Sequence, residues 1–103
     1  MTSDTPRIKL VMIHFRFEYA DEMEAILDRL GVASYVRYPM MEGKDRDGKH
    51  DGTQTFPGNI STIHVQVDET AVDRLFADLR RFREQKPAHA HLEAFVLPIE
   101  RHL

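Results

Sequence analysis

The segment Arg7 to Phe15, RIKLVMIHF, is apolar on both parities: Ile8, Leu10 and Met12 on one, Val11, Ile13 and Phe15 on the other. A strand with one face in water alternates apolar and polar residues, so this one has to be covered on both faces. His91 to Ile99 (HLEAFVLPI) repeats the property over Phe95, Val96 and Leu97. Two such strands near the ends of a 103-residue chain demand a helix layer on one side of a sheet and further protein on the other. Both are expected in the sheet interior.

Between them the pattern changes period twice. Met23, Ile26, Leu27 and Leu30 stand at helical spacing, with Asp21 and Glu22 in the first turn and Gly31 just past the end. Acidic residues suit a helix N-terminus and glycine suits its left-handed close. Val72, Leu75, Phe76, Leu79 and Phe82 form a second stripe over 68–84, with Asp68 as its N-cap and Pro87 as its stop signal. Val32 to Tyr38 (VASYVRY) is a strand ended by Pro39. Asn59 to Val67 (NISTIHVQV) is another, with Ile63, Val65 and Val67 on one face and Thr62, His64 and Gln66 on the other.

The order is β-α-β-β-α-β, which reads as an α+β ferredoxin-like fold. It has an antiparallel four-stranded sheet, two helices on one face, and a long loop between strands 2 and 3. The chain is one domain with its core over 7–100. The bare sheet face carries Met12 or Ile13 and Val96 or Leu97, too much apolar surface to leave wet, so other subunits are expected to cover it.

Composition removes several functions. The chain has no cysteine, which excludes disulfides, thiolate metal sites and cysteine nucleophiles. Fourteen basic against seventeen acidic residues give a net charge of −3, with no basic patch to wrap nucleic acid. No apolar run approaches membrane-spanning length. Met1 to Pro6 shows no charged-then-apolar export pattern, so a cytoplasmic location is expected.

The connection Pro39–Asn59 (PMMEGKDRDGKHDGTQTFPGN) has no periodic pattern and mixes Gly43, Gly48 and Gly52 with alternating charges. Hairpins use roughly two to five residues there, and long connections in small domains tend to carry function. Met40 and Met41 at its start and Phe56 at its end read as anchors or partner contacts. An EF-hand starting at Asp47 fails, with Lys49 at position three and Gly58 at position twelve. Neither Gly43-Lys44 nor Gly48-Lys49 is followed by a serine or threonine, so no phosphate loop is present. The third strand lacks the base-stacking aromatics of an RNA-recognition domain. His89-Ala90-His91 puts two imidazoles on one side of an extended chain, a half-site for a divalent metal; the plainer reading is two surface histidines. His64, between Thr62 and Gln66, reads as an interface histidine. No serine elbow or paired carboxylate makes a catalytic constellation, and no enzymatic activity is expected.

The opening Ile8-Lys9-Leu10-Val11-Met12-Ile13, the Leu30-Gly31-Val32 turn, the long loop, Val67-Asp68-Glu69-Thr70-Ala71-Val72-Asp73 and the closing Ala94-Phe95-Val96-Leu97-Pro98-Ile99-Glu100 together resemble the PII signal-transduction family. The resemblance implies a homotrimer whose sheets face a common centre. It also implies a regulatory role in nitrogen or related metabolism, with 39–59 as a T-loop docking on an enzyme, transporter or regulator. The chain departs from the family at three places. It has no tyrosine in 39–59, Lys44 and not a glutamine directly after Gly43, and Ala88-His89-Ala90-His91-Leu92-Glu93 where the family has a Gly-Asp-Gly-Lys phosphate grip. Without glycine the backbone cannot approach a polyphosphate closely, which implies a changed ligand.

The leading expectation is therefore a ligand-sensing PII-like trimer. Its cleft is lined by Arg37, Gly43, Lys44, Arg46, Lys49, His64, His89 and His91, and nucleotide and divalent metal are the open ligand candidates. The alternative is a metal-responsive trimer of the CutA or efflux-linked type, with His89 and His91 as ligands, motivated by six histidines. A small dimeric-barrel oxygenase would need a polar pocket between helices and sheet, where the sequence is apolar.

Overall fold

The computed structural model describes residues 7–45, 48–50 and 60–103. Strand β1 (Ile8–Arg16) runs into a short 3₁₀ turn and helix α1 (Ala20–Leu30). Strand β2 (Tyr35–Met41) follows, then the short strands β3 (Gly43–Asp45) and β4 (Gly48–His50). Strand β5 (Ile60–Asp68) leads through Glu69–Ala71 into helix α2 (Val72–Glu84), and a 3₁₀ turn, Pro87–His91, precedes β6 (Glu93–Pro98). The main sheet is antiparallel in the order β2-β5-β1-β6, and both helices lie on one of its faces. This is the ferredoxin-like arrangement expected from the sequence.

The buried core forms between that face and the helices. Val11, Ile13 and Phe15 from β1 and Ile63, Val65 and Val67 from β5 meet Met23, Ile26 and Leu27 of α1 and Leu75, Leu79 and Phe82 of α2. Both helical stripes are the ones that the periodicity marks. Gly31 closes α1 at φ 80°, its amide donating to the Leu27 and Asp28 carbonyls. Only glycine enters that region at little steric cost. Asp68 accepts the Thr70 amide at 2.9 Å and the Thr70 hydroxyl at 2.8 Å, so it caps a 3₁₀ turn that feeds α2. These bonds, the backbone one foremost, hold the Asp68 carboxyl below the usual carboxylate range.

Three expectations are corrected. β6 is an edge strand, not a central one: among the described residues it pairs with β1 alone, and the centre belongs to β1 and β5. Double apolarity marks a strand that needs cover on both faces but does not say which molecule provides it, and Phe95, Val96 and Leu97 are all exposed in the single chain. Pro39 does not end β2. It lies in a register shift between Tyr38 and Met41, tolerated because β2 is the opposite edge and its outer side needs no amide. The Ser61 hydroxyl donates to the Pro39 carbonyl there. The 39–59 connection is also not wholly aperiodic, since β3 and β4 pair antiparallel, Gly43 with His50 and Asp45 with Gly48.

Among the described residues no helix is long and apolar enough to cross a membrane.

Candidate site at the base of the long connection

The register of β1 sets the geometry. His14 stands opposite Thr62 on β5 and Glu93 on β6, at the end of the sheet where the chain leaves for β3. Gly43 passes so close to β5 that a Cβ there would lie 2.8 Å from the Ile60 Cδ1. This close approach brings Lys44 over the end of the sheet. A small cleft of about 40 Å³ results, lined by His14, Phe15, Lys44, Ile60, His91 and Glu93. A larger open hollow of about 420 Å³, lined by Arg83, Ala90, His91, Leu92 and Glu93, lies on the other side of His91 and Glu93. One wall thus joins the loop base to the C-terminal end of α2.

The turn in that wall is built from its histidines. Pro87 begins a 3₁₀ turn, a position where its fixed φ and missing amide do no harm. The turn, not an extended segment, carries His89 and His91 inward, to 2% and 4% exposure. The His91 Nδ1 lies 2.8 Å from the Ala88 carbonyl, and its Nε2 accepts the Arg16 amide at 3.1 Å. A carbonyl only accepts, so Nδ1 carries the proton and Nε2 the lone pair. This neutral imidazole stitches the end of β1 to the turn and has no lone pair left for a metal. His89 donates from Nδ1 to the Phe82 carbonyl at 2.7 Å. Its ring stacks on Phe82 at 3.8 Å and meets the edge of Tyr19 at 4.7 Å. Its Nε2 is buried without a hydrogen-bond partner. The two histidines are pieces of core and latch, not the surface pair or open metal grip that the sequence suggests, because their spacing faces one way in a strand and another in a turn. Among the described residues no group of three or more His, Asp or Glu could hold a metal.

Of the other candidates, Gly43 and Lys44 sit at the cleft with His91. Arg37 does not: it lies on the helix side of β2 and pairs with Glu24 at 2.7 Å. Glu24 also takes the Tyr35 hydroxyl, whose pKa is pushed up by burial first and by Glu24 and Asp28 next. His64 lies on the open sheet face, its ring 5.0 Å from that of Tyr38. Met40 and Met41 are exposed at the end of β2. Arg46 and Phe56 lie outside the described residues, and Lys49 is described only as the register partner of Lys44. Sequence reasoning missed His14, Arg83 and Glu93, which come from three separate elements and share no linear motif.

The turn offers little to a polyphosphate. The amides of His89 and Leu92 are spent on the Lys86 and His89 carbonyls, and no glycine lets the backbone close on an oxyanion. Lys44 and Arg83 are the cations that the cleft and the hollow contribute.

No protein-family model matches the chain, and no curated protein matches its sequence. Solved structures do. CPII from Thiomonas intermedia K12, a nitrogen regulatory PII-like protein bound to ADP, AMP and bicarbonate, superposes with a TM-score of 0.76 at 22% identity, covering 92% of this chain and 94% of that one. A DUF3240 family protein from Shewanella baltica OS155 gives 0.72 at 12% identity, covering 93% of both chains. Arabidopsis thaliana PII bound to citrate gives 0.63 at 12%, covering 92% of this chain and 79% of that one. The backbone likeness spans nearly the whole chain while the sequences have drifted far apart, and what the chain shares with these proteins is the PII-like fold.

Proposed function

We propose that this chain is a PII-like regulatory protein, a binding module and not an enzyme. It senses a small ligand at the base of the 39–59 connection and presents that connection to a target protein. One observation carries the reading: the cleft is walled jointly by the connection (Lys44), the sheet (His14, Phe15, Ile60) and the turn before β6 (His91, Glu93). A ligand held there touches the scaffold and the connection at once, so it binds one arrangement of the connection better than others, which is what a population switch requires. Met40, Met41 and Phe56 are the apolar contacts offered to the target. Nitrogen or related metabolic control is the setting that the fold likeness suggests.

The apolar open face of the sheet supports assembly of the chain as a homotrimer with these faces inward. Val36, Tyr38, Phe95 and Leu97 are each 41–54% exposed on it, around the half-buried Leu10 and Met12. Formal charges on the described part of that face stand only at its ends, Arg16 and Glu93 at one and Asp68 at the other. Copies therefore meet without like charges at the centre.

The relatives were captured with ADP, AMP, bicarbonate or citrate. In this chain Lys44 and Arg83 favour an anion, while the spent amides of the turn disfavour a polyphosphate. The ligand class proposed is a small carboxylate, bicarbonate or a nucleoside monophosphate. Calorimetry with AMP, ADP, ATP, bicarbonate and citrate tests it. Binding of a short anion or AMP ahead of ATP, weakened about tenfold or more by Lys44→Ala, is the expected result. Silence from all five, or ATP binding tightest, defeats it.

A further inference from the structure

We infer that His64 makes self-association of this chain sensitive to protons, with mild acid dispersing the assembly; this rests on the reading that copies of the chain cover one another's open sheet faces.

His64 is central on that face, on β5 and away from both charged ends. Opposite it stand Met12 on β1 and Val36 on β2. Its ring meets the edge of Tyr38 from β2, and Gln66 and Thr62 flank it along β5. No carboxylate faces it from any of these strands. Among the described residues Tyr38 is the one titratable neighbour, and a phenol is neutral below about pH 10. His14, the other imidazole of the face, is placed differently. Glu93 stands opposite it, Arg16 follows it on β1, and Lys44 and His91 share its cleft. An acid beside it compensates a charge on His14, and among the described residues no acid stands beside His64.

The lone chain leaves His64 half-buried, and solvent can hydrate an imidazolium there. Cover by another copy removes that water. An imidazole in water takes up its proton near pH 6.5, and an apolar enclosure without a counter-charge opposes the cation. Acid therefore favours the dispersed chain, where an imidazolium can be hydrated, over the closed assembly. The Thr62 hydroxyl, 3% exposed and without a hydrogen-bond partner, lies in the same row as His14. It adds no acceptor that could relieve the charge, because it sits one register step away from the His64 ring.

The test is sedimentation of the full chain from pH 8 to 5, with circular dichroism at each pH to show that the fold persists. His64→Gln and, as a control off the sheet, His102→Gln are run beside it. The expected result is an assembled protein at pH 8 that disperses between pH 7 and 5 while folded. His64→Gln stays assembled at pH 5, and His102→Gln, at an exposed position beyond β6, disperses as the parent does. Assembly of the parent that persists folded at pH 5 overturns the inference, as does acid dispersal that His64→Gln leaves unchanged. A chain that is monomeric at pH 8 overturns the assembly reading itself, and this inference with it.

Discussion

The two faces of the one sheet are made from the same strands, two of them apolar on both parities, yet they end in opposite environments. On the helix side Val11, Ile13, Ile63 and Val65 are between 0% and 1% exposed; across the sheet Val36 is 54% and Phe95 44% exposed. The pattern of β1 and β6 did not create that difference, since both are apolar on both parities. The difference is that this chain lays its helices over one face and, among the described residues, nothing over the other. The closed face should therefore govern whether the chain folds, and the open face whether copies meet.

The largest effect that tests this division is Phe15→Ala. Phe15 is 1% exposed among Met23, Leu27 and their neighbours, and truncating a buried phenylalanine costs about 4 kcal/mol. That is a large share of what a domain this size has, so urea unfolding should show a sharply lowered midpoint or no folded baseline. The opposite face should answer differently. Leu97→Ser exchanges an exposed apolar side chain on an edge strand, so the urea midpoint of the dispersed chain should move by less than about 0.5 kcal/mol. The same change should weaken self-association by an order of magnitude or more in sedimentation. Comparable losses of chain stability from the two substitutions would erase the distinction between the faces.

What the sequence revealed follows the same line. Both helical stripes, the Gly31 close and the Asp68 cap were legible, because period and capping chemistry are local properties. The place of β6 at the edge was not, because parity reports how many faces need cover and is silent about lateral neighbours. The Pro87–His91 turn was misread for a definite reason. Pro87 served as the stop of α2, when proline also opens helical turns, and that second role decides where His89 and His91 point. β3 and β4 escaped notice because GKD and GKH have no apolar alternation, although Asp47-Gly48 between them is a turn signal. The cleft was legible only in part: Gly43, Lys44 and His91 stand among the sequence candidates, and His14, Glu93 and Arg83 do not. Lys44, His14, Glu93 and Arg83 converge only through the β1–β6 register and the close pass of Gly43 over Ile60, neither of which is a sequence motif.

Gly31→Ala sharpens the comparison at a smaller scale. Nothing lies within 4 Å of the added methyl, so the cost is the positive φ of 80° alone, about 1 kcal/mol. Thermal or urea unfolding should show that loss, and sedimentation at neutral pH should show none. A neutral or stabilising result would mean that α1 closes another way.

The smallest effect belongs to Asp68, and it is separable by pH. The Thr70 amide and hydroxyl hold its carboxyl below the ordinary carboxylate range. A carboxyl that ionises more readily in the folded chain than in the unfolded one contributes stability above the unfolded value, near pH 4. That contribution fades as acid protonates the folded form. Asp68→Ala should therefore lower the urea midpoint at pH 7 by less than Gly31→Ala does, since the carboxylate is solvent-exposed and its bonds compete with water. The gap between parent and variant should narrow steadily from pH 5 downward as the charge is lost. Because Asp68 joins β5 to the turn that launches α2, the loss should appear as weaker attachment of the helix layer, with faster exchange of the Thr70 amide. A gap that stays constant from pH 7 to pH 3 would show that the carboxylate's charge plays no part in holding that layer.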